Sequence, residues 1–447
     1  MCMATVDIII DSASRVNAYF AVTAPGLEVL TAQELQRLNL LPPDTVAAAA
    51  TVEPGGVAFQ GDLEALYRAN LHLRTASRVL VRVGDFSAAA FSELRKKASR
   101  LDWARYLVPG QPVAIRATCK ASKLYHADAV AERIAGAIVD SLGAPIIRQK
   151  LGDEEGRSQH PEPLASLSRD ISTPDRMSKC GERRDAQEPP SLYGTGCRER
   201  PPQLVVVHIF NNHCTVSVDA SGELLHRRGY RQAVAKAPLR ETLAAALLLA
   251  APWDATSPLV DPFCGSGAIP IEAALLALGA APGRQRRFAF MDWPGFDEKR
   301  WTALLAVAQA SMRTELPPGC QIIASDRDAG AVRMAQENAA RAGVAQHIQF
   351  TCQAVSAIHP PARSGWVITN PPYGIRVSSN KDLRNLYAQF GNVLRAQCPG
   401  WHIAILCNDQ ALLAQTRLTL DASFSLLNGG IKVRLARGLI KPSQYQK

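Results

Sequence analysis

The chain has 447 residues, 47% of them hydrophobic, with a formal net charge of +10. That supply of apolar side chains excludes a disordered or fibrous chain, and the length suggests about three domains at roughly 150 residues each. Ten cysteines without a single C-x-x-C pair exclude a disulfide scaffold and a zinc-ligand spacing, and they fit the reduced thiols of a cytoplasmic protein that binds no metal.

Residues 1–15 read as a tail: Asp7 and Asp11 interrupt the apolar run, so it lacks a secretory pattern. Residues 16–64 open on a short strand, "AYFAVT", and continue into a helix with Leu27, Leu30, Leu35 and Leu38 on related faces. "GGVAFQG" is a further strand, so the spacing predicts a small α+β unit of ferredoxin-like kind. Residues 65–219 alternate helix and strand: "LEALYRANLHL", "RVLVRVGDF", "FSELRKKASRL", "PVAIRATC" and "ADAVAERIAGAIVDSL". They close with two strands about the Asn211-Asn212 turn. Within them, residues 152–203 are rich in Pro, Ser, Gly and mixed charge and carry no apolar period, which predicts a disordered insertion.

From residue 220 the pattern changes to strands alternating with helices, through "PLVDPF", "GAIPIEAALLALG", "QIIASD", "AGAVRMAQENAARAG", "IQFTCQ", "WVITN" and "HIAILC". This alternation predicts an α/β domain with a Rossmann-like doubly wound sheet over 220–447. "FSLLNGGIKVRLARGLI" adds an antiparallel C-terminal hairpin. The longest apolar helical run, "LAAALLLAA", falls well short of the ~20 residues that cross a bilayer, so no membrane association is expected.

Three loops of this domain carry chemistry. "DPFCGSG", Asp261, Pro262, Phe263, Cys264, Gly265, Ser266 and Gly267, follows the first strand. Glycines there let a ligand approach the backbone, and the following helix offers N–H groups to an anionic part of it. The spacing is neither a Walker loop nor a full G-x-G-x-x-G. Asp326 ends the second strand, where an acid suits ribose hydroxyls; Asp328 is an alternative, or else a helix cap. "TNPPY" ends the fourth strand. Proline fixes φ and removes N–H donors, so the Asn370 side-chain oxygen and the Pro371 carbonyl form a stiff pair of acceptors for the two hydrogens of an exocyclic amine. Pro372 completes the rigid turn, and Tyr373 offers a face for a planar base. Cys264 has a rival role as a nucleophile for ring-carbon methylation, although no base adjoins it in sequence.

In this order and spacing, "DPFCGSG", "ASDRD" and "TNPPY" resemble class I S-adenosylmethionine-dependent amino-methyltransferases. "HRRGYRQAVAKAPLRETLAAALL", "APGRQRRFAFMDWPGFD" and "LYAQFGNVLRAQCPGW" are similar to the THUMP-domain guanine-N2 methyltransferases of bacterial 23S ribosomal RNA. "CKASKLYHADAVAERI" is similar to their THUMP segment. The resemblance implies S-adenosylmethionine as cofactor, its methionine moiety on residues 261–267, its ribose on Asp326 and its carboxylate near Arg240, Glu241 and Thr242. It implies a flipped guanine at residues 370–373. The family often places an Asp after the third strand for the adenine amine; this chain has Ala354 near that position.

It further implies an RNA partner, ribosomal RNA ahead of transfer RNA, and assigns residues 65–219 to a THUMP domain. Arg228, Arg231 and Arg376, with the neighbouring Arg227, Arg284, Arg286, Arg287, Lys381 and Arg384, would neutralise phosphates around the crevice. Lys120, Lys123 and Tyr125 would grip RNA by shape. Alternatives are a transfer-RNA guanine-N2 methyltransferase, a DNA adenine-N6 or protein glutamine methyltransferase, and a non-catalytic ribosome assembly factor.

Overall fold

The structure is a computed structural model that describes residues 16–42, 52–143, 146–148, 201–231, 239–373, 380–428 and 430–441. The expected tail and almost all of the expected insertion lie outside the described residues. The first half runs β1 (Asn17–Thr23), α1 (Glu28–Arg37), β2 (Val52–Glu53), β3 (Gly56–Gly61), α2 (Leu63–His72), β4 (Ala76–Ser87), α3 (Phe91–Ala98), β5 (Pro112–Lys120), α4 (Ala127–Leu142), β6 (Ile147–Arg148), β7 (Gln203–Phe210) and β8 (His213–Asp219). The second half runs α5 (Glu241–Ala250), β9 (Leu259–Asp261), α6 (Ala268–Ala277), α7 (Glu298–Ala310), β10 (Ile322–Asp326), α8 (Ala329–Arg341) and β11 (Ile348–Cys352). It continues with β12 (Trp366–Thr369), α9 (Asn380–Gln397), β13 (His402–Cys407), α10 (Gln410–Gln415), β14 (Asp421–Asn428) and β15 (Ile431–Leu439).

Local chemistry sets many of these limits. Asp62, Asp297, Asp328 and Asp409 accept backbone N–H bonds at the starts of α2, α7, α8 and α10. Gly143 closes α4 in the left-handed region at φ 63°, which costs a glycine little. Asn211 and Asn212 both take positive φ, the geometry of a tight turn between β7 and β8.

The first eight strands make one mixed sheet in the order β2-β3-β1-β4-β8-β7-β5-β6. β4 pairs with β1 along one edge and β8 along the other, so the units expected over 16–64 and 65–219 share a continuous sheet. The remaining strands form the order β11-β10-β9-β12-β13-β15-β14. β9 to β13 are parallel, and β14 and β15 add the antiparallel edge. The central strands are apolar on both faces. Leu259 and Ile368 pack with α5, α6 and α8, while Val260, Val367, Ile403 and Ile405 pack with α9 and α10.

The chain turns back between β9 and β12, where crevices open at the carboxyl ends of a doubly wound sheet. An arm between α6 and β10 docks this domain on the first sheet. In it Phe288, Phe290, Trp293 and Trp301 join the core built by β1, β4 and α2. Tyr67 stacks on Phe290 with ring centroids 4.6 Å apart, and its hydroxyl accepts from the Asp297 N–H at 2.9 Å.

Candidate active site

Parallel register sets the layout. Leu259 pairs with Ile322 on one side and Trp366 on the other, so β9, β10 and β12 deliver Asp261, Asp326 and Thr369 to one rim. Beyond β9 the chain makes a tight turn, tied down by three neighbours. The Cys264 N–H donates to the Ser325 carbonyl at 3.0 Å, the Gly265 N–H to Asp326 Oδ2 at 3.0 Å, and Asn338 Nδ2 to the Ser266 carbonyl at 3.0 Å. Gly265 and Gly267 have φ of +52° and +87°. A Cβ on Gly265 would meet nothing within 4 Å, whereas one on Gly267 would meet Ala335 Cβ at 3.0 Å. Gly265 therefore faces open space for a ligand, and Gly267 serves close helix packing.

Asp261 is buried, with Oδ1 accepting from Thr369 Oγ1 at 2.6 Å and from the Phe263 N–H at 3.2 Å. Its Oδ2 is buried and has no hydrogen-bond partner. Burial pushes its carboxyl up to about 7, opposed by those two donors and reinforced by Asp326. Asp326 also accepts from the Asp328 N–H at 3.0 Å and keeps lone pairs for further donors. Asp328 is the N-cap of α8, accepting from Gly330 and Ala331, which is the capping alternative of the sequence reading. Pro262 is buried, and the Phe263 ring lies edge-on to Phe390 at 5.3 Å.

Asn370 continues β12 directly after Thr369; its Oδ1 is buried without a partner. Pro371 is buried; Pro372 and Tyr373 are half-buried. Tyr373 packs between the clusters on the two faces of the sheet, and its hydroxyl accepts from Asn428 Nδ2 at 3.5 Å. Two bare carbonyl-type oxygens, Asp261 Oδ2 and Asn370 Oδ1, thus lie at the ends of adjacent strands. Buried acceptors without donors are costly unless a ligand supplies the donors. The bare Asp261 oxygen, with the free lone pairs of Asp326, fits a cofactor with a cationic amino-acid moiety and a ribose, and the Asn370 oxygen is left for the N–H of a second ligand.

The other predicted residues divide. Thr242 is buried in the first turn of α5, which packs on α6. Arg240 is exposed at the N-cap, and Glu241 is buried beside Arg231, Nε to Oε1 at 3.3 Å. Burial pushes Cys264 above the ordinary thiol range, so it stays protonated and the nucleophile alternative loses its basis.

Four RNA assignments need correction. Arg228 is 3% exposed, donating to Glu272 Oε1 and to the Arg74 carbonyl, each at 2.8 Å. It joins the two halves of the protein and cannot meet a phosphate. Arg231 turns inward to Glu241 and to the Leu239 carbonyl at 2.9 Å. Arg284 and Arg286 are likewise spent, on the Ala342 carbonyl at 2.6 Å and on the Ser221 and Glu223 carbonyls at 3.0 and 2.6 Å. Arg376 lies outside the described residues.

Lys120, the last residue of β5, and Lys123 and Tyr125 on the β5–α4 loop are exposed, Tyr125 by 69%. The loop is pinned to the β7–β8 turn, the Lys123 N–H donating to Asn212 Oδ1 at 2.8 Å. Sequence reasoning missed Thr369, Asn338 and Ser325. A threonine in a strand and an asparagine in a helix carry no local mark of the loop they hold.

Among the described residues, no group of three His, Cys, Asp or Glu side chains is arranged for a metal ion, and no helix is long and apolar enough to cross a membrane.

The chain is similar to several known methyltransferases. The family model described as "RMKL-like, methyltransferase domain" matches residues 228–445, and that described as "RlmL ferredoxin-like domain" matches residues 18–80. A Synechocystis sp. protein named as a "Putative RNA methyltransferase" is 34% identical over 94% of this chain and 96% of its own length. The ribosomal RNA large subunit methyltransferase K/L of Methylococcus capsulatus is 31% identical over 96% of this chain. The chain spans about half of that relative, 52% of its length.

Among solved structures, one described as "a putative methyltransferase complexed with SAH" superposes with a TM-score of 0.75 at 28% identity, covering 97% of this chain and all of its own. A protein of Listeria monocytogenes described as "a predicted N6-adenine-specific DNA methylase" reaches 0.74 at 30% identity, covering 95% of this chain and 96% of its own. The chain belongs to the RMKL-like methyltransferase family, whose members use S-adenosylmethionine, and carries the RlmL-type ferredoxin-like domain at its N-terminal end.

Proposed function

We propose that the protein methylates the exocyclic N2 amine of a guanine in structured RNA, with large-subunit ribosomal RNA the favoured substrate. The observation that carries methylation of an exocyclic amine is the unpartnered Asn370 Oδ1 at the end of β12, one residue beyond the Thr369–Asp261 bond that ties it to the 261–267 turn.

The cofactor supplies a sulfonium-bound, electrophilic methyl group. Asp261, the 264–267 turn and Asp326 would hold it. A guanine amine is a poor nucleophile because its lone pair is delocalised into the ring. Asn370 Oδ1 and the Pro371 carbonyl would accept its two N–H bonds, turn the lone pair toward the methyl and stabilise the positive charge that develops on nitrogen. Proline at 371 and 372 keeps these acceptors from reorganising. Tyr373 would stack on the base, which must leave its own stack to enter. Because the methylated nitrogen is strongly acidic, no strong general base is needed.

The relatives' names support an RNA substrate. Exposed Lys120, Lys123 and Tyr125 support a THUMP-like role for the upstream sheet. The acceptor pair equally suits adenine N6, and the Listeria neighbour favours that second reading; transfer RNA remains the other RNA substrate. The test is nucleoside mass spectrometry of separated RNAs from a deletion strain. Loss of one N2-methylguanosine from ribosomal RNA supports the proposal. Loss from transfer RNA moves the substrate. Unchanged RNA together with lost N6-methyladenine in DNA overturns it in favour of the second reading.

A further inference from the structure

One side-chain bond at the crevice has no part in the chemistry above. Thr369, the last residue of β12, is fully buried, and its Oγ1 donates at 2.6 Å to Oδ1 of Asp261, the last residue of β9. Backbone pairing of these strands ends at Val260 and Val367, so this bond joins the strand ends beyond the ladder. The Phe263 N–H occupies the same Oδ1 at 3.2 Å. All the donors to Asp261 thus fall on one oxygen, and Oδ2 stays bare although buried. A desolvated carboxylate oxygen without a donor is costly. A strand end needing only a cap would be served by a neutral side chain.

We propose that Thr369 is a positioning residue: its hydroxyl fixes the Asp261 carboxylate so that Oδ2 receives the α-ammonium of the cofactor's methionine moiety, and it thereby locks the cofactor turn to the strand that carries Asn370. This rests on the assignment of residues 261–267 to the cofactor and not on the identity of the methylated base.

The charge balance agrees. The charged group facing Asp261 is Asp326, from β10; Cys264 on its own turn stays a neutral thiol, and β12 presents the Thr369 hydroxyl. Burial pushes the Asp261 carboxyl up to about 7, and the Thr369 bond lowers it. A protonated carboxyl accepts an ammonium poorly, so affinity holds above that value and falls as pH drops through it. Without the Thr369 bond the carboxyl rises further, and the loss begins at a higher pH.

The experiment is calorimetric titration of the full chain with S-adenosylhomocysteine. It spans about pH 5.5 to 7.5, below the ordinary range of an α-amino group. Thr369→Val should bind ~10-fold more weakly near pH 7, with the falling limb displaced upward by about one pH unit. Thr369→Ser should restore the wild-type curve, and Asn370→Ala should keep it. Asp261→Asn should remove the limb, which provides a test even if the valine variant does not fold. A Thr369→Val curve superimposed on wild type, or a limb retained in Asp261→Asn, overturns the proposal. Failure of the base-orienting reading would appear elsewhere, as full methyl transfer by Asn370→Ala.

Discussion

At the scale of residues, two buried oxygens without partners, Asp261 Oδ2 and Asn370 Oδ1, set what the crevice can bind. Asn370→Ala removes the acceptor proposed for the substrate amine and leaves the 261–267 turn in place. It should lower kcat by roughly 10²–10³-fold, the range for loss of one preorganised polar group, with cofactor affinity unchanged. Steady-state kinetics beside calorimetry separate the two effects.

Asp261 yields a stability prediction of known sign. Its carboxyl titrates at about 7 when folded, raised by burial, against an ordinary value near 3.8. Between these values the unfolded chain loses its proton while the folded one keeps it, so this group's contribution to stability declines as pH rises from about 4 to about 7. Asp261→Asn should therefore stabilise the cofactor-free protein by on the order of 1–3 kcal/mol at pH 8 and by little near pH 4. Thermal melts at the two values check this.

The place of Asn370 at the end of β12 could be read from the sequence because Asn-Pro-Pro-Tyr after an apolar strand is a local pattern. Thr369 could not, because its role is a bond to a residue 108 positions away.

Among the elements, the glycine turn separates packing from ligand access. Gly267→Ala places a methyl 3.0 Å from Ala335 Cβ at a φ of +87°. It should cost about 1–3 kcal/mol of stability and spread the α6–α8 contact. Gly265→Ala meets no neighbour within 4 Å, so its left-handed φ of +52° should cost only ~1 kcal/mol, while the added methyl obstructs the cofactor. Chemical denaturation with cofactor titration distinguishes the two.

The helices and strands of this domain were legible because buried strands read as short apolar runs and helices as a period near 3.6. The Asp328 cap was legible too, as the alternative to a ribose ligand, since an acid one residue before a helix is a local signal. The tethers from Ser325 and Asn338 were not, because each looks like an ordinary polar residue until a neighbouring loop is folded over it.

Across the whole molecule, burial reassigns the arginines. "HRRGYR" reads as a basic RNA-facing run, yet Arg228 reaches Glu272, which lies fully buried on α6. Nothing in a linear run of arginines marks a partner 44 residues away. The continuity of the first sheet was hidden for the same reason, since the second edge of β4 pairs with a strand more than a hundred residues downstream. Arg228→Ala should destabilise the protein by about 3–5 kcal/mol by leaving Glu272 buried with its main partner gone. Lys123→Ala should leave stability unchanged and instead weaken RNA binding, lowering the salt dependence by about one ion. Melting curves and binding at several salt concentrations test that division between scaffold and RNA-facing surface.

The most direct test of the central claim is nucleoside mass spectrometry of bacterial RNA treated with the purified full chain and methyl-labelled S-adenosylmethionine. Label recovered in N2-methylguanosine with wild type, and absent with Asn370→Ala, is the predicted result. Label in N6-methyladenosine or a ring-carbon-methylated pyrimidine, or equal labelling by the Asn370→Ala variant, would contradict it.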